Sequence, residues 1–506
     1  MPGAPLSDNL VARKLGFGRG NRHYGKIPAR RPLGGKPVNT LPNIASAFFE
    51  SAEHHAESPA VFHRGKTWTY RALAEAVRAE TQKLLSAKIP GRIPRIALDC
   101  PNGPEHIILS LAAIASGGCV IPVPQAIGAA EKSELLATTA AHALLDPTGK
   151  IHPLAPAHTA FPEDAFDALH PALVRFSSGT TGESKGVVLS HQTILDRIRS
   201  ANSRLRITPA DRILWTLPMA HHFAVSILLY LLQGAGIVIA GSSLPDDLLS
   251  DAAEHRATVF YGSPVHCALL AAENSGRAWP SLRLAVSTAA PLLPATAEKF
   301  KARFGIAPVQ GLGLIEAGLP LLNVDHADSR PACCGIPTDF ETHIAENGEL
   351  LLRGPGMFDA YLSPWCTRSE AMPDGWFHTG DLAHRHPDGN IELTGRLKSA
   401  INVGGLKCFP EEIEAALDSH PLVAESRAWA EPHPRWGSVP AAEFVPHDPS
   451  HPPSPEALER HCRTLLAAHK IPVSFRQTAR IDKTPSGKIR RNAAPSAIEN
   501  PVPSAR

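Results

Sequence analysis

Phe176-Ser-Ser-Gly-Thr-Thr-Gly-Glu-Ser-Lys-Gly-Val-Val188 is the stretch that decides how this chain is read. Hydroxyls at Ser177, Ser178, Thr180 and Thr181, glycines at Gly179 and Gly182, and a cation at Lys185 lie between two apolar runs, 172–176 and 187–189. Glycine lets a backbone turn sharply and approach a ligand, while hydroxyls and amide N–H groups donate to anionic oxygens. The run therefore reads as a phosphate cradle. It is not the helix-opening loop that needs Gly-x-x-x-x-Gly-Lys followed by Ser or Thr, because Ser184 precedes Lys185 and Gly186 follows it. A phosphotransferase built on that other loop is disfavoured. Strand-like sequence on both sides predicts a loop that closes a hairpin over the phosphates.

Outward from the cradle, helix and strand signals alternate. Residues 107–115 suit a helix and 120–123 a strand; 132–141 suit a helix and 142–146 a strand. Short apolar runs at 212–217, 237–240, 259–261 and 282–287 are of buried-strand type. This alternation predicts an α/β fold of layered, largely parallel sheets with helices. Residues 349–353 and 390–394 read as antiparallel hairpin strands. After Gly395 the texture changes, with amphipathic helices at 411–417 and 455–468 around a strand at 441–445. The expected organisation is a basic extension (1–37), a large domain (38–395), a small α+β domain (396–495) and a tail (496–506).

The 506 residues exceed what one core supports, since single cores stop growing near ~250–300 residues. Apolar content of 43% and charged content of 19% fit an ordinary folded chain. A formal net charge of +2 gives no strong pull toward nucleic acid or membrane, so no nucleic-acid partner is expected. The most apolar stretch, 224–240, is broken by Gln233, Gly234 and Gly236, and is shorter than the ~20 residues of a membrane span. It reads as a buried helix leading into a buried strand, with no integral membrane segment. The first 30 residues lack the apolar core of a signal peptide. The eight cysteines show no CxxC and no metal-like spacing, and read as reduced core residues of a cytoplasmic protein. Residues 1–37 carry eight Lys and Arg and one acid, Asp8. They read as a surface extension, with a docking arm for an acidic partner as the sharper alternative.

Further motifs come in order. Gln310-Gly-Leu-Gly-Leu-Ile-Glu316 sets an acid just past a glycine-bracketed turn. Gly348-Glu-Leu-Leu-Leu-Arg-Gly-Pro355, Asp374-Gly-Trp-Phe-His-Thr-Gly-Asp381, Gly395-Arg-Leu-Lys398 and Pro485-Ser-Gly-Lys-Ile-Arg-Arg491 come next. In this order and spacing, the set resembles the acyl-adenylate-forming superfamily: acyl-CoA synthetases, aryl-acid ligases, adenylation domains of peptide synthetases, and luciferase. The resemblance covers residues ~40–492 and makes a chance match very improbable.

The resemblance implies a two-step reaction. A carboxylate attacks the α-phosphate of ATP to give an acyl-adenylate and pyrophosphate. A thiol of CoA, or of the phosphopantetheine of an acyl carrier protein, then takes the acyl group. Two anions meet in the first step, so the site must screen charge more than supply a base. Carried over by position, Ser177 to Lys185, with Thr181 among the catalytic groups, would hold the β- and γ-phosphates. Glu316 would ligate Mg²⁺, an oxygen-seeking ion. Ala289, Ala290, Pro291, Gln310, Gly311, Leu312, Gly313 and Ile315 would line the nucleotide. Asp381 would accept from the ribose hydroxyls with Arg396 assisting, and Lys488 would bridge the carboxylate and the α-phosphate. Lys398 would be the hinge of a mobile small domain, with Gly404 and Gly405 facing the pantetheine arm.

The chain departs from the pattern at three places. Leu312 stands where Tyr is usual, Ile315 where Thr is usual, and Thr288-Ala289 where two glycines are common. Ile315 donates no hydrogen bond, and one lost charge-assisted bond is worth about 1.5–3 kcal/mol, which would slow adenylation. The alternative this leaves is a catalytically degraded homologue that binds nucleotide or acyl groups. On the acid side, His221 aligns best with a gating His, with His222 beside it and Phe223 next. No acid occurs between Arg212 and Asp246 to pair with a substrate ammonium, so a fatty or aryl acid is expected and an α-amino acid is not. Ala289, Ala290, Gly311 and Gly313 are expected to leave room for its ring or chain.

Overall fold

The computed structural model describes residues 43–155, 161–176, 186–404, 406–483 and 489–490. The cradle from Ser177 to Lys185, Gly405, Lys488, the extension 1–37 and the tail 496–506 lie outside the described residues.

Two large sheets carry the strands from Pro59 to Pro337, and Ala360–Tyr361 and Cys366–Thr367 join the second of them. One has nine strands. Its centre is parallel, running Val309–Leu314, Leu284–Ser287, Val259–Gly262, Arg212–Trp215, Gly236–Ile239 and Pro59–His63. The other has eight strands, and in it Pro171–Phe176 pairs antiparallel with Gly186–Ser190. The expected hairpin is therefore present, with the cradle sequence as its connection. Central strands such as Leu284–Ser287 and Arg95–Leu98 are buried along their whole length, so they read as continuous apolar runs instead of alternating ones. One core cluster joins residues of both sheets, among them Leu173, Val187 and Leu189 from the second and Trp215, Tyr261, Val286 and Leu312 from the first.

The helix His191–Leu205 leaves this hairpin directly. The Ser190 hydroxyl accepts from the Thr193 N–H at 3.2 Å and caps it. Its buried face holds Ile194, Arg197, Ile198, Ala201 and Leu205, at the three- and four-residue spacing of a helix laid on a core. The apolar stretch after Trp215 forms a helix as expected, but not a regular one. Met219–His222 passes into a π-helical turn, Phe223–Ile227, before Leu228–Leu232 and the strand Gly236–Ile239. No helix among the described residues is long and apolar enough to cross a membrane.

A four-stranded antiparallel sheet holds Glu341–Ile344, Glu349–Arg353, Phe377–Arg385 and Ile391–Arg396. A separate sheet begins at Ile401–Val403 and includes Val423–His433 and Gly437–Pro446, packed on the helices Pro410–Asp418 and Pro455–Leu465. All eight cysteines are free, and all but Cys366 are buried.

Candidate active site

The two strands that flank the cradle sequence set the site. On Pro171–Phe176, Leu173 and Arg175 share one face, opposite Leu189 and Val187 across the pair. That face enters the core between the large sheets. Arg175 is the charged exception on it, at the end next to residue 177. The strand Ala360–Tyr361 pairs with the other flank, so that Tyr361 lies against Val187. The Tyr361 hydroxyl donates to Glu316 Oε1 at 3.2 Å. Glu316, named from its motif, is thus tied to the strand that leaves the cradle. Burial and the adjacent Glu316 charge both raise the Tyr361 pKa above the ordinary phenol range.

The backbone at Glu316 is clamped from beneath. Arg197 is 2% exposed and donates to three carbonyls: Gly356 at 2.6 Å, Ile315 at 2.9 Å and Glu316 at 2.6 Å. The Phe358 N–H also donates to the Glu316 carbonyl, at 2.7 Å. Desolvation lowers the Arg197 pKa to about 9, opposed by Asp359 and Glu316. Gly318 and Gly356 both have positive φ, and a side chain at Gly356 would meet Arg197 Cγ at 2.6 Å. These glycines make room for the arginine. Ile315 itself packs on the main core and is partly exposed.

Several expected nucleotide-side residues do other work. Gln310 is 5% exposed with both ends of its amide committed: Oε1 accepts from the Leu292 N–H at 2.5 Å, and Nε2 donates to the Ala332 carbonyl at 2.9 Å. It braces the segment after Ala289-Ala290-Pro291 and is not left to face a ligand. Gly311 leaves no room for an acid, because Leu319 and Leu322 fill its open side, each 3.1 Å from where a Cβ would stand. Leu312 lies in the main core, 9% exposed. Gly313 is exposed, and a Cβ there would stand 3.3 Å from Thr288 Oγ1. Ala289 has φ +76°, a left-handed conformation that costs a residue with a Cβ roughly 1–2 kcal/mol.

The acid side is aromatic and polar. Asn102 pins the start of the Met219–His222 helix: Nδ2 donates to the Leu217 carbonyl and Oδ1 accepts from the Met219 N–H, both at 2.8 Å. His222 sits edge-on to Trp215, with centroids 5.6 Å apart, and edge-on to Tyr261 at 6.4 Å. Tyr261 stacks on Trp215 at 5.1 Å, and its hydroxyl is hydrogen-bonded with Ser226 and Thr288. Burial raises the Tyr261 pKa above the ordinary value. His222 is thus the histidine packed on the Trp215–Tyr261 pair; His221, the better match in sequence, is also partly exposed. Phe223 is buried against the His106 ring, centroids 5.9 Å apart.

Asp381 and Arg396 are register partners on adjacent strands. Arg396 Nε donates to Asp381 Oδ1 at 2.7 Å; the carboxylate is buried and the guanidinium about half exposed. Gly395 obeys the same logic as Gly356, since a Cβ would stand 2.7 Å from Phe409 Cγ. Lys398 lies exposed in the short turn Leu397–Ser399. The Gly404 N–H donates to the Trp436 carbonyl at 2.9 Å, and a Cβ on Gly404 would stand 2.6 Å from the Trp436 ring. Trp436 is 45% exposed, with the Arg435 guanidinium 5.0 Å above its ring.

Elsewhere, Cys333, His386 and Glu392 bring ligand-type atoms within 4.8 Å of one another. Arg330 Nη1 donates to His386 Nδ1, so Nε2 carries the ring proton and donates to Glu392 at 2.8 Å. Burial also pushes the Cys333 thiol up to about 11. Both His386 nitrogens are thus committed to Arg330 and Glu392.

Sequence reading missed Tyr361, Arg197, Arg175, Tyr261 and Trp436. The signal for the two arginines was a charge at a core-facing position of an otherwise apolar strand or helix face.

The sequence matches the AMP-binding enzyme family over residues 48–362 and the AMP-binding enzyme C-terminal domain over residues 412–488. The chain belongs to this family. It is 30% identical over 464 residues to a feruloyl-CoA synthase of Amycolatopsis sp, covering 85% of this chain and 94% of that protein. It is 32% identical over 336 residues to a sulfoacetate–CoA ligase of Cupriavidus necator, covering 63% of this chain and 66% of that protein. Its fold is like that of o-succinylbenzoate CoA synthetase (MenE) from Bacillus subtilis in complex with the acyl-adenylate OSB-AMP. There the TM-score is 0.79 at 23% identity, over 89% of this chain and 97% of that one. With this membership, the chain is an acid–thiol ligase. It uses ATP to activate a carboxylic acid as an acyl-adenylate and passes the acyl group to a thiol.

Proposed function

We propose that this chain converts a carboxylic acid to its CoA thioester in the cytoplasm, using residues 38–395 for nucleotide and acid and 396–495 as a mobile part that brings Lys488. The juxtaposition of Glu316 and Tyr361 with the hairpin strand leaving the cradle supports this most directly. Tyr361 occupies Glu316 Oε1 and turns the carboxylate toward that strand. An oxygen ligand there suits Mg²⁺, which would offset charge on the departing pyrophosphate. Ser177, Ser178, Gly179, Thr180, Thr181, Gly182 and Lys185 would grip the β- and γ-phosphates. The Asp381–Arg396 pair offers a buried acceptor beside an exposed donor for the ribose. Lys488 would neutralise charge between the carboxylate and the α-phosphate.

On the acceptor side, Gly404 and Gly405 would let the pantetheine arm pass. Exposed Trp436 beside Gly404 offers a flat apolar surface to it. The relatives whose names print an acceptor use CoA, which favours CoA over a carrier protein.

The test is exchange of labelled pyrophosphate into ATP with fatty, aryl and amino acids, followed by acyl transfer to CoA and to a phosphopantetheinylated carrier protein. Exchange with a fatty or aryl acid and transfer to CoA are expected. A folded protein that binds ATP and exchanges with no acid would be a degraded homologue instead. Lys488→Ala should lose adenylation yet still transfer the acyl group from supplied acyl-AMP; equal loss of both half-reactions would rule out the mobile-lysine scheme.

A further inference from the structure

Arg175 is the least explained charge in the core. It lies on the strand face shared with Leu173, Val187 and Leu189, all buried in the cluster that joins the two large sheets. A guanidinium there needs partners, because a desolvated charge is stable only when hydrogen-bonded or paired. Its Nε is buried and has no hydrogen-bond partner among the described residues. Arg197, in the same core, has donated to three carbonyls. Glu316 is the acid near enough to act on Arg175, and its Oε1 takes the Tyr361 hydroxyl.

The surroundings of Arg175 show which groups lie near its unpartnered Nε. The groups that act on its charge are Glu316 and Tyr261. Tyr261 belongs to the acid-side wall, stacked on Trp215, edge-on to His222 and hydrogen-bonded with Ser226 and Thr288. Arg175 also keeps partial solvent access although desolvation lowers its pKa to about 10. A side chain both enclosed by protein and reached by solvent lines a cleft. Tyr261, Thr288 and Ser226 are buried with the Tyr261 hydroxyl bonded to the other two, and Thr288 Oγ1 also donates to the Gly311 carbonyl, so among these groups Arg175 Nε is the donor left without a partner.

We propose that Arg175 is a specificity-determining residue of the acid pocket and takes a second anionic group, a carboxylate or sulfonate, on the tail of the acid substrate. This rests on the acid–thiol ligase reading and narrows its substrate class. The planar fork of a guanidinium matches two oxygens of such a group, and a desolvated site strengthens both bonds. The reacting carboxylate stays at the α-phosphate; the second group is bound and not transformed.

Matched acids that differ only at the tail test this: cinnamate against 4-carboxycinnamate, and butanoate against succinate, with AMP release as the readout. For at least one pair, the unaltered enzyme should prefer the charged member by about tenfold or more in kcat/KM, as expected where a site is built to pair a polar group. Arg175→Met should reverse that preference while the KM for ATP stays put, and Arg175→Lys should keep it in weaker form. A preference for neutral tails in the unaltered enzyme overturns the proposal. So does an Arg175→Met enzyme that loses all acids alike and raises the ATP KM, which would put Arg175 on the α-phosphate. Calorimetric binding of 4-carboxycinnamate and of succinate separates this from failure of the ligase reading. A protein that turns over no acid but binds one of these about tenfold more tightly than its Arg175→Met variant retains the role of Arg175 and loses the ligase reading. Equal binding by both proteins removes the role of Arg175.

Discussion

Arg197 and Arg175 lie in one core, both feel Glu316, and both are desolvated, yet they are solved in opposite ways. Arg197 spends its donors on the carbonyls of Ile315, Glu316 and Gly356, with two positive-φ glycines making way for it. Arg175 leaves Nε unused. A buried cation saturated by backbone is scaffold; one left short of partners at a cleft is held for a ligand. The contrast separates the part of the site that holds the Glu316 turn still from the part that chooses the acid.

The contrast breaks most sharply in stability. Arg197→Met strips a charged donor from three carbonyls and should cost about 3 kcal/mol in urea unfolding, since each unsatisfied buried acceptor costs about 1–3 kcal/mol. Arg175→Met should cost much less, about 1 kcal/mol or below, because relief of a desolvated charge offsets the loss of its attraction to Glu316. Equal losses would mean that both arginines are scaffold.

Asp418, at the end of the helix Pro410–Asp418, sharpens the same lesson with an acid. Burial raises its pKa to about 7, with Glu414 and Glu425 adding to the effect and the Ser426 hydroxyl and Lys483 opposing it. Unfolded, it titrates near ~3.9, so the native state holds the extra proton between about pH 4 and pH 7. Its contribution is complete below pH 4 and is lost as pH rises through 7. Asp418→Asn should therefore gain about 1–2 kcal/mol at pH 8 and nothing at pH 4. A gain independent of pH would trace to something other than titration. The smallest effect is at the backbone. Ala289→Gly relieves a left-handed conformation at the cost of unfolded-state freedom, for a net gain of about 0.5 kcal/mol. A drop in melting temperature would show that the Ala289 methyl group packs usefully.

Much of the fold was legible because its signals are local. The runs at 172–176 and 187–189 became Pro171–Phe176 and Gly186–Ser190, and 349–353 became Glu349–Arg353. Motif order put Asp381 and Arg396 on adjacent strands, where they pair. What was not legible depended on partners distant in sequence. Gly311 looked like room for a substrate, but the space belongs to Leu319 and Leu322. Gln310 looked ligand-facing, but its amide ties Leu292 to Ala332. The expectation of a fatty or aryl acid rested on the absence of acids in one helical segment, and the feruloyl-CoA synthase among the relatives agrees with it. It gave no weight to a cation two residues before the cradle, on a strand whose facing neighbours are set only when the two sheets pack.

The π-helical turn Phe223–Ile227 has an evolutionary consequence. Such turns arise where one residue is accommodated beyond the α-helical repeat. Losing a residue there would re-phase the preceding turn by about 100° relative to the helix after it, swinging His222 off the Trp215–Tyr261 wall while Leu228–Leu232 stayed seated. The orientation of His222 can therefore change by single-codon insertion or deletion, without a substitution in the rings around it and without disturbing the core beneath it.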